Sequence, residues 1–485
     1  MRPARLRVVA VELFERPVRL RLPFRFGAVT VTACPQAFVR AAIEFEDGRR
    51  AHGSAAEMMV PKWFDKSAHR SDADNIDDLR DALRRAAHAY TSATELHTAF
   101  GHFANHYRPL MREGSRCGVN DLTTNFGAAV LDRAVLDALC RALGTSFADV
   151  VRVNAAGIDA SLTDDLRGFD LDGFLRTLRA RSHIAARHTV GMLDPLEGNA
   201  PGEDALPRTL RQVIAAYGNT HFKLKLGGDP EADIGRLTDI AAVLDHLPSY
   251  AVTLDGNEQY PDLDTLARFC ERLDAAPQLA CLAGRTLYLE QPLPRSLALD
   301  VAAQAVPRRW PLLIDESDAT LDAFPRAKVA GYHGVSSKSC KGVYKSLLNA
   351  ARCAQWNAAE CSSRFFISGE DLTMQPGLGV QQDLALAALL GLRHVERNGH
   401  HYVDGFAGGG ASTPEQERFL VACPGLYERS HGSVRLSIRA GVIDLAGCAT
   451  PGFASPAEPD WTGLSPLAPR APRNDTATPR IPAPC

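Results

Sequence analysis

The chain lacks any apolar run long enough to span a membrane, which argues against an integral helical membrane protein. Its eleven cysteines include no C-x-x-C pair. That spacing excludes a disulfide framework or a zinc site and reads as reduced core residues of a cytoplasmic protein. Charge of one sign is missing too: 54 basic residues face 57 acidic ones, for a net charge of −3. With no basic stripe, neither nucleic acid nor a membrane surface is an expected partner. The start, Met1-Arg-Pro-Ala-Arg, is basic, but no apolar segment follows it, so no signal peptide is expected. No internal repeat stands out. What is present is a hydrophobic content of 45%, that of a soluble protein with a large core, in 485 residues, too many for one ordinary domain.

The most informative stretch is His221-Phe-Lys-Leu-Lys-Leu-Gly-Gly. It reads as a buried strand running into a glycine loop. Side chains alternate along a strand, so Lys223 and Lys225 share one face and Phe222, Leu224 and Leu226 the other. Taken alone, this is also the pattern of an edge strand with solvated lysines. The downstream sequence decides against that. Four further short apolar runs end in Asp255-Gly-Asn, Glu290-Gln-Pro, Asp315-Glu-Ser and Lys338-Ser-Cys-Lys. From Lys225 the steps are 30, 35, 25 and 23 residues. A strand with its returning helix takes about 30 residues. Each polar residue therefore sits at the C-terminal end of a βα unit, and in a (β/α)₈ barrel those ends converge on one mouth.

The fold class expected is α/β, a modified (β/α)₈ barrel with an N-terminal α+β cap. Residues 1–180 form the cap: an antiparallel meander over about 5–57, then helices, the strongest ending at Gly144. Residues 146–180 match no recognisable pattern. Residues 186–405 form the barrel, with Ala186–Met192 as first strand, helices such as Asp233–Leu247 and Leu297–Ala305 between strands, Arg364–Glu370 as the seventh strand and His401-Tyr-Val as the eighth. His400 and His401 read as surface residues. Residues 406–448 are expected to return to the cap, with an alternating pattern over 430–447. Nine of the last 35 residues are proline without periodicity, so 449–485 reads as a disordered tail, removable from about residue 455.

Asp255, Glu290 and Asp315 put three like charges in one mouth. They need a cation, and an all-oxygen donor set suits Mg²⁺, with Mn²⁺ as the alternative, over Zn²⁺. Lys225 on the second strand and Lys338 on the sixth lie across the barrel from each other. That placement suits taking a proton from one face of a carbon and returning one to the other. The base must be a neutral amine, and the neighbouring charge of Lys223 is expected to lower the proton affinity of Lys225. Glu370 faces the mouth, either toward substrate or in a structural hydrogen bond.

Together, Lys223-Leu-Lys225, Asp255-Gly-Asn257, Leu289-Glu290-Gln-Pro292, Asp315-Glu-Ser317 and Lys338-Ser-Cys-Lys341-Gly342 resemble the enolase superfamily, within it the muconate-lactonizing and dipeptide-epimerase subgroup. The resemblance spans about residues 5–450. It implies Mg²⁺ on Asp255, Glu290 and Asp315, Lys225 and Lys338 as acid/base pair with Lys223 beside them, and an enediolate from a small carboxylate substrate. It also implies that cap loops near Phe24–Thr30 and Glu57–Trp63 select that substrate. Asn257, Glu370 and Phe24 are the expected substrate contacts, and a cytoplasmic homo-oligomer the expected form. Glu258, where the subgroup more often has Gln, and the single Gly342 depart from the pattern. A racemase, epimerase or cycloisomerase is the leading expectation. A dehydratase on the same scaffold, a metal-free Schiff-base lyase and a non-catalytic metal-binding homologue are the alternatives.

Overall fold

The first two strands, β1 (Leu6–Phe26) and β2 (Val29–Phe45), pair antiparallel from Leu6↔Phe45 to Phe26↔Val29, and β3 (Arg50–Met58) pairs with the other edge of β2. The computed structural model describes residues 3–27, 29–198 and 205–470. Gly48 turns β2 into β3 with φ +82°, a conformation that glycine adopts without a Cβ penalty. Helices α1 (Asp72–Ser92), α2 (Ala99–Arg116) and α3 (Asp121–Leu143) cover the sheet. Asn120 caps α3 and Gly144, at φ +63°, ends it. Because α3 is apolar around most of its circumference, it is buried from Leu122 to Cys140. Two glycines set how closely it packs. A Cβ on Gly53 of β3 would lie 2.1 Å from Ala138 N, and one on Gly127 would lie 2.0 Å from Ala82 O of α1.

Residues 146–180 form short helices, Phe147–Arg152 and Leu171–Thr177, around a 3₁₀ turn at Asp164–Leu166. Val150, Val151, Leu166 and Leu175 anchor them and are fully buried. Asp165 pairs with Arg352 at 2.7 and 2.9 Å, tying this connector to the barrel. Helices of six and seven residues separated by turns are too short to show a helical period.

Eight parallel strands follow: β4 (His183–Val190), β5 (His221–Lys225), β6 (Ala251–Asp255), β7 (Thr286–Glu290), β8 (Leu312–Ile314), β9 (Gly334–Ser337), β10 (Phe366–Gly369) and β11 (His394–Glu396). Each pairs with the next, and β11 pairs with β4 to close the barrel. Three expectations are corrected here. The eighth strand is His394–Glu396, and His401 and Tyr402 lie in a helical turn, Gly399–Tyr402. Three residues with one central valine leave no apolar run to find. The crossover from β7 to β8 has no helix at Leu297–Ala305, only turns and a 3₁₀ turn at Ala303–Ala305. His401 is buried against His188, with ring centroids 4.9 Å apart, and is not a surface residue.

Beyond the barrel, a hairpin of β12 (Tyr427–Ser430) and β13 (Ser433–Leu436) packs with the helix Thr413–Ala422, whose Glu415 pairs with Arg16 of β1 at 2.7 Å. Strand β14 (Val442–Asp444) then joins the barrel, antiparallel to the start of β4, instead of the cap. The tail expectation is corrected for 449–470. Phe453 is fully buried and stacks on Phe147 at 3.7 Å, and its N–H donates to Asp137 of α3. A two-residue strand, β15 (Ser465–Pro466), covers the free edge of β1. Proline lowers periodicity but not the ability to lie extended along an edge. The rest of the expected tail, 471–485, lies outside the described residues.

Candidate active site

Alternation along β5 turns Lys223 and Lys225 to the barrel interior, as it does Asp255 at the end of β6 and Glu290 at the end of β7. Asp315 follows β8, Lys338 follows β9 and Glu370 follows β10. All seven side chains are buried. Two loops are held in a conformation non-glycine residues seldom adopt: φ is +42° and +69° at Asn257 and Glu258, and +33° at Gln291. Gln291 pays this strain back locally. Its amide oxygen accepts from the backbone N–H groups of Asp315 at 2.8 Å and Ser317 at 3.0 Å, fixing the neighbouring loop.

Lys223 Nζ sits inside a ring of carboxylates: Asp255 at 2.9 Å, Glu290 at 2.9 Å, Glu370 at 2.8 Å and Glu396 at 3.1 Å. Burial works against its charge, but these anions raise its proton affinity well above the ordinary lysine range. The four acids do not share the cation equally. Glu370 also binds Arg187 and accepts from Tyr288 OH at 3.1 Å and Ser368 Oγ at 2.5 Å, and its carboxyl is held below the usual range despite burial. Glu290 goes the other way. Burial, then Asp255 and Glu370, push it well up. Its Oε2 lies 2.9 Å from the Lys223 ammonium but outside hydrogen-bond geometry and has no donor among the described residues.

Lys225 donates to Asp255 Oδ2 at 2.6 Å, so the two lysines of β5 share one carboxylate oxygen. Lys338 donates to Asp315 Oδ2, also at 2.6 Å. Burial opposes the Lys338 charge, yet Asp315 keeps its proton affinity raised. The same partner, with Lys341 at 3.4 Å, holds the buried Asp315 carboxyl low. Behind this pair, Lys341 bridges to Asp318 at 3.0 Å.

The cap reaches the same mouth. Phe24 stacks on Tyr402 at 4.3 Å and lies 5.8 Å from Lys225 Nζ. Trp63 lies 4.2 Å from Lys338 Nζ, and its buried indole N–H has no acceptor among the described residues. Each lysine thus has its own aromatic lid. Lys66 reaches Glu258 at 2.6 Å, Glu316 at 3.1 Å and the Asn257 carbonyl at 2.9 Å. Burial opposes the Glu258 charge, but Arg295 and Lys66 bring its carboxyl down to about 2. This ion triad is the local use of the glutamate that departs from the family pattern. Asn257 donates to Glu316 at 3.4 Å, and its Oδ1 has no partner among the described residues.

Asp255, Glu290 and Asp315 suit a divalent cation by donor chemistry: three buried carboxylates on adjacent strand ends, with Glu290 Oε2 left without a donor. As they stand they are not gathered around one point. Among the described residues, no three His, Cys, Asp or Glu side chains form a metal-holding group. Lys225 engages Asp255, and Lys338 engages Asp315.

The structure brings Lys223, Lys225, Asp255, Glu290, Asp315, Lys338 and Glu370 together. It turns Glu370 toward Lys223 and Arg187, and the oxygens of Glu370 are taken up by protein donors. Sequence reasoning missed Glu396, Arg187 and Lys66. Glu396 follows the same rule as the other acids, an acid closing a strand, and accepts from Thr189 at 2.5 Å. Lys66 carried no signal, since only the tertiary fold brings the cap loop to the barrel.

The family model described as "Enolase C-terminal domain-like" matches residues 205–406. No curated protein matches the chain in sequence. Among solved structures, the chain is similar to the L-Ala-D/L-Glu epimerase from Bacillus subtilis, at 14% identity over 92% of this chain and 98% of that one, with a TM-score of 0.56. It is similar to the muconate lactonizing enzyme from Mycobacterium smegmatis, at 16% identity over 94% and 98%, with a TM-score of 0.59. The dipeptide epimerase from Cytophaga hutchinsonii, solved with Mg and a dipeptide, gives 16% identity over 94% and 98%, with a TM-score of 0.57. At these identities the likeness is one of fold, an N-terminal β-rich domain on a closed parallel barrel. Over residues 205–406, which carry most of the strand-end motifs, the barrel of this chain matches the enolase C-terminal domain-like family.

Proposed function

We propose that this chain is a divalent-cation-dependent enzyme that removes the α-proton of a small carboxylate substrate and returns a proton to the same carbon, as a racemase or epimerase, with cycloisomerisation as the closest variant. One observation supports this most directly. Lys225 and Lys338 stand on the second and sixth of eight strands, each buried, each on its own carboxylate and each beside its own cap aromatic.

Asp255, Glu290 and Asp315 would hold Mg²⁺, or Mn²⁺, which when bound supplies Lewis-acid stabilisation of negative charge on the substrate carboxylate. This chain's lysines handle the proton. The Nζ of one lysine, once neutral, takes the proton from the α-carbon. The C–H electron pair moves into the carboxylate to give an enediolate. The ammonium of the other lysine gives its proton to the opposite face, and its N–H pair stays on nitrogen. In the reverse direction the roles exchange. Lys223, enclosed by four carboxylates, is a positioning residue that keeps them apart and fixes Asp255 beside Lys225. Phe24 and Trp63 close the cap over the lysines and exclude water.

Several similar structures are epimerases of dipeptides, so dipeptides head the panel of candidates. The test is exchange of α-¹H for ²H in D₂O, followed by NMR across dipeptides, amino acids and hydroxy acids, with added Mg²⁺ and with EDTA. The expected result is cation-dependent exchange of at least one class. Activity that survives EDTA with a borohydride-trapped lysine adduct would replace this reading with Schiff-base chemistry.

A further inference from the structure

A cavity of about 1110 Å³ lies at the other end of the barrel, among the entries of β7 to β11. Gln304 and Val306, from the β7–β8 crossover that lacks its helix, line it. Its lining combines two kinds of group. The first is aromatic: Tyr288, Trp310, Tyr332 and Phe365 are buried, and Phe366 is half-buried against Tyr288 at 5.3 Å. The second is cationic: Arg308, Arg309, Lys328, Arg364 and Arg393 line it, with no Asp or Glu.

The counter-ions behind the wall are too few. Lys328 and Arg364 share Glu360, at 3.1 and 2.6 Å, and Arg309 lies 3.7 Å from Asp274. Arg308 spends its donors on the carbonyls of Ala303, Val306 and Gly331. No carboxylate stands within ion-pair distance of Arg393 among the described residues. Five cations therefore face two carboxylates. Two buried polar atoms of the lining also lack partners among the described residues, the hydroxyl of the fully buried Tyr332 and His333 Nδ1. An unpaired buried hydroxyl is costly, and such a group is explained when a ligand completes it.

We propose that this cavity is a second ligand site, for a small molecule that joins a flat aromatic ring to an anionic group, carboxylate or phosphate. The rings offer a stacking wall, the arginines bind the anion, and Tyr332 and His333 supply the missing polar contacts. The site lies at the opposite end of the barrel from the lysine mouth, with Tyr288 in the wall between them donating to Glu370, and it does not rest on the reaction assigned there.

The experiment is calorimetric titration of the full chain with AMP, with benzoate, with inorganic phosphate and with benzyl alcohol. Saturable one-site binding of AMP or of benzoate is expected, with phosphate alone and benzyl alcohol each at least about tenfold weaker, and the stronger of the first two identifies the anion. Arg393→Glu should weaken binding by about tenfold or more while leaving the α-proton exchange rate unchanged, and Phe366→Leu should weaken AMP and benzoate but not phosphate. No saturation by either aromatic anion, binding of phosphate as tight as theirs, or binding that Arg393→Glu leaves intact would overturn the proposal.

Discussion

Two regions of this molecule bury carboxylates, and they treat them in opposite ways. In the barrel mouth, Asp315 is completely desolvated but meets Lys338 and Lys341, and its carboxyl is held low. In the cap, Asp132 on α3 is just as buried and meets only the hydroxyl of Tyr90, at 2.7 Å, and burial pushes it up to about 8. Burial is equal in the two places. The difference lies in whether a cation was placed within reach. A charged buried acid requires a charged partner, so the mouth is dense in lysines, and a structural acid can take the neutral form. Apart from Glu290, which burial and its acidic neighbours push up, the mouth holds its acids low against lysines, which points to chemistry; the cap lets Asp132 discharge, which points to packing.

The sharpest way to break this comparison is to remove the lysines assigned to proton transfer. Lys225→Ala and Lys338→Ala should each slow α-proton exchange by about 10²–10⁴-fold. In a racemase or epimerase, each variant should block exchange from one substrate configuration more than from the other, as read by ¹H NMR in D₂O. Both variants turning over at the wild-type rate would remove the mouth's claim to chemistry.

Lys223 is next. Replacing it with Met leaves Asp255, Glu290, Glu370 and Glu396 without their common cation, and breaking a buried ion pair from one side costs about 3–5 kcal/mol. Chemical denaturation should show that loss at neutral pH. Part of it should return on adding Mg²⁺, because a divalent cation offers the carboxylates another partner. A variant as stable as the parent would mean that the ring is not held by Lys223.

The cap has a matching test in the segment 449–470. Phe453→Ala should cost about 3–5 kcal/mol, the range for a large aromatic cut from a core, because the ring is fully buried on Phe147. Truncation after Gly452 should lower the melting temperature by at least as much. If truncation has no effect, the disordered reading of this tail stands.

How much of this was legible in the sequence depends on what each residue leaned on. The barrel and most of its mouth were, because β5 to β9 each have an apolar run ending in Lys, Asp or Glu at the spacing of a βα unit. Glu396 was not, because β11 is three residues long and Val395 alone cannot make a run. The pairing of each lysine with its own carboxylate was also invisible, since Asp255 and Lys225 are 30 residues apart and meet only through strand register. The expectation that Lys223 would act on Lys225 mainly by repulsion missed the four acids around it, two of them, Glu370 and Glu396, from the last two strands, which reach β5 around β4. His400 and His401 read as surface because histidine is polar, but they pack against His188 and Tyr217.

The smallest expected effect is the most direct test of the contrast itself. With its carboxyl raised by burial to about 8, Asp132 holds a proton in the folded protein between its ordinary value near 4 and about 8, while the unfolded chain does not. Across that window the folded state binds more protons, so stability falls as pH rises, at up to about 1.4 kcal/mol per pH unit from this group. The stabilising term is fully present below the unfolded value and is lost as pH climbs toward the folded one. Asn keeps an acceptor for Tyr90 and has no proton to lose. Asp132→Asn should therefore match the parent near pH 5 and exceed it near pH 8, with the difference in melting temperature growing steadily between. The equivalent change in the mouth, Asp315→Asn, should do the opposite: it strips Lys338 of its counter-ion and lowers stability at every pH above the acid range. Parallel melting profiles for parent and Asp132→Asn would show that the cap acid is ionised after all, and that the two regions do not differ in kind.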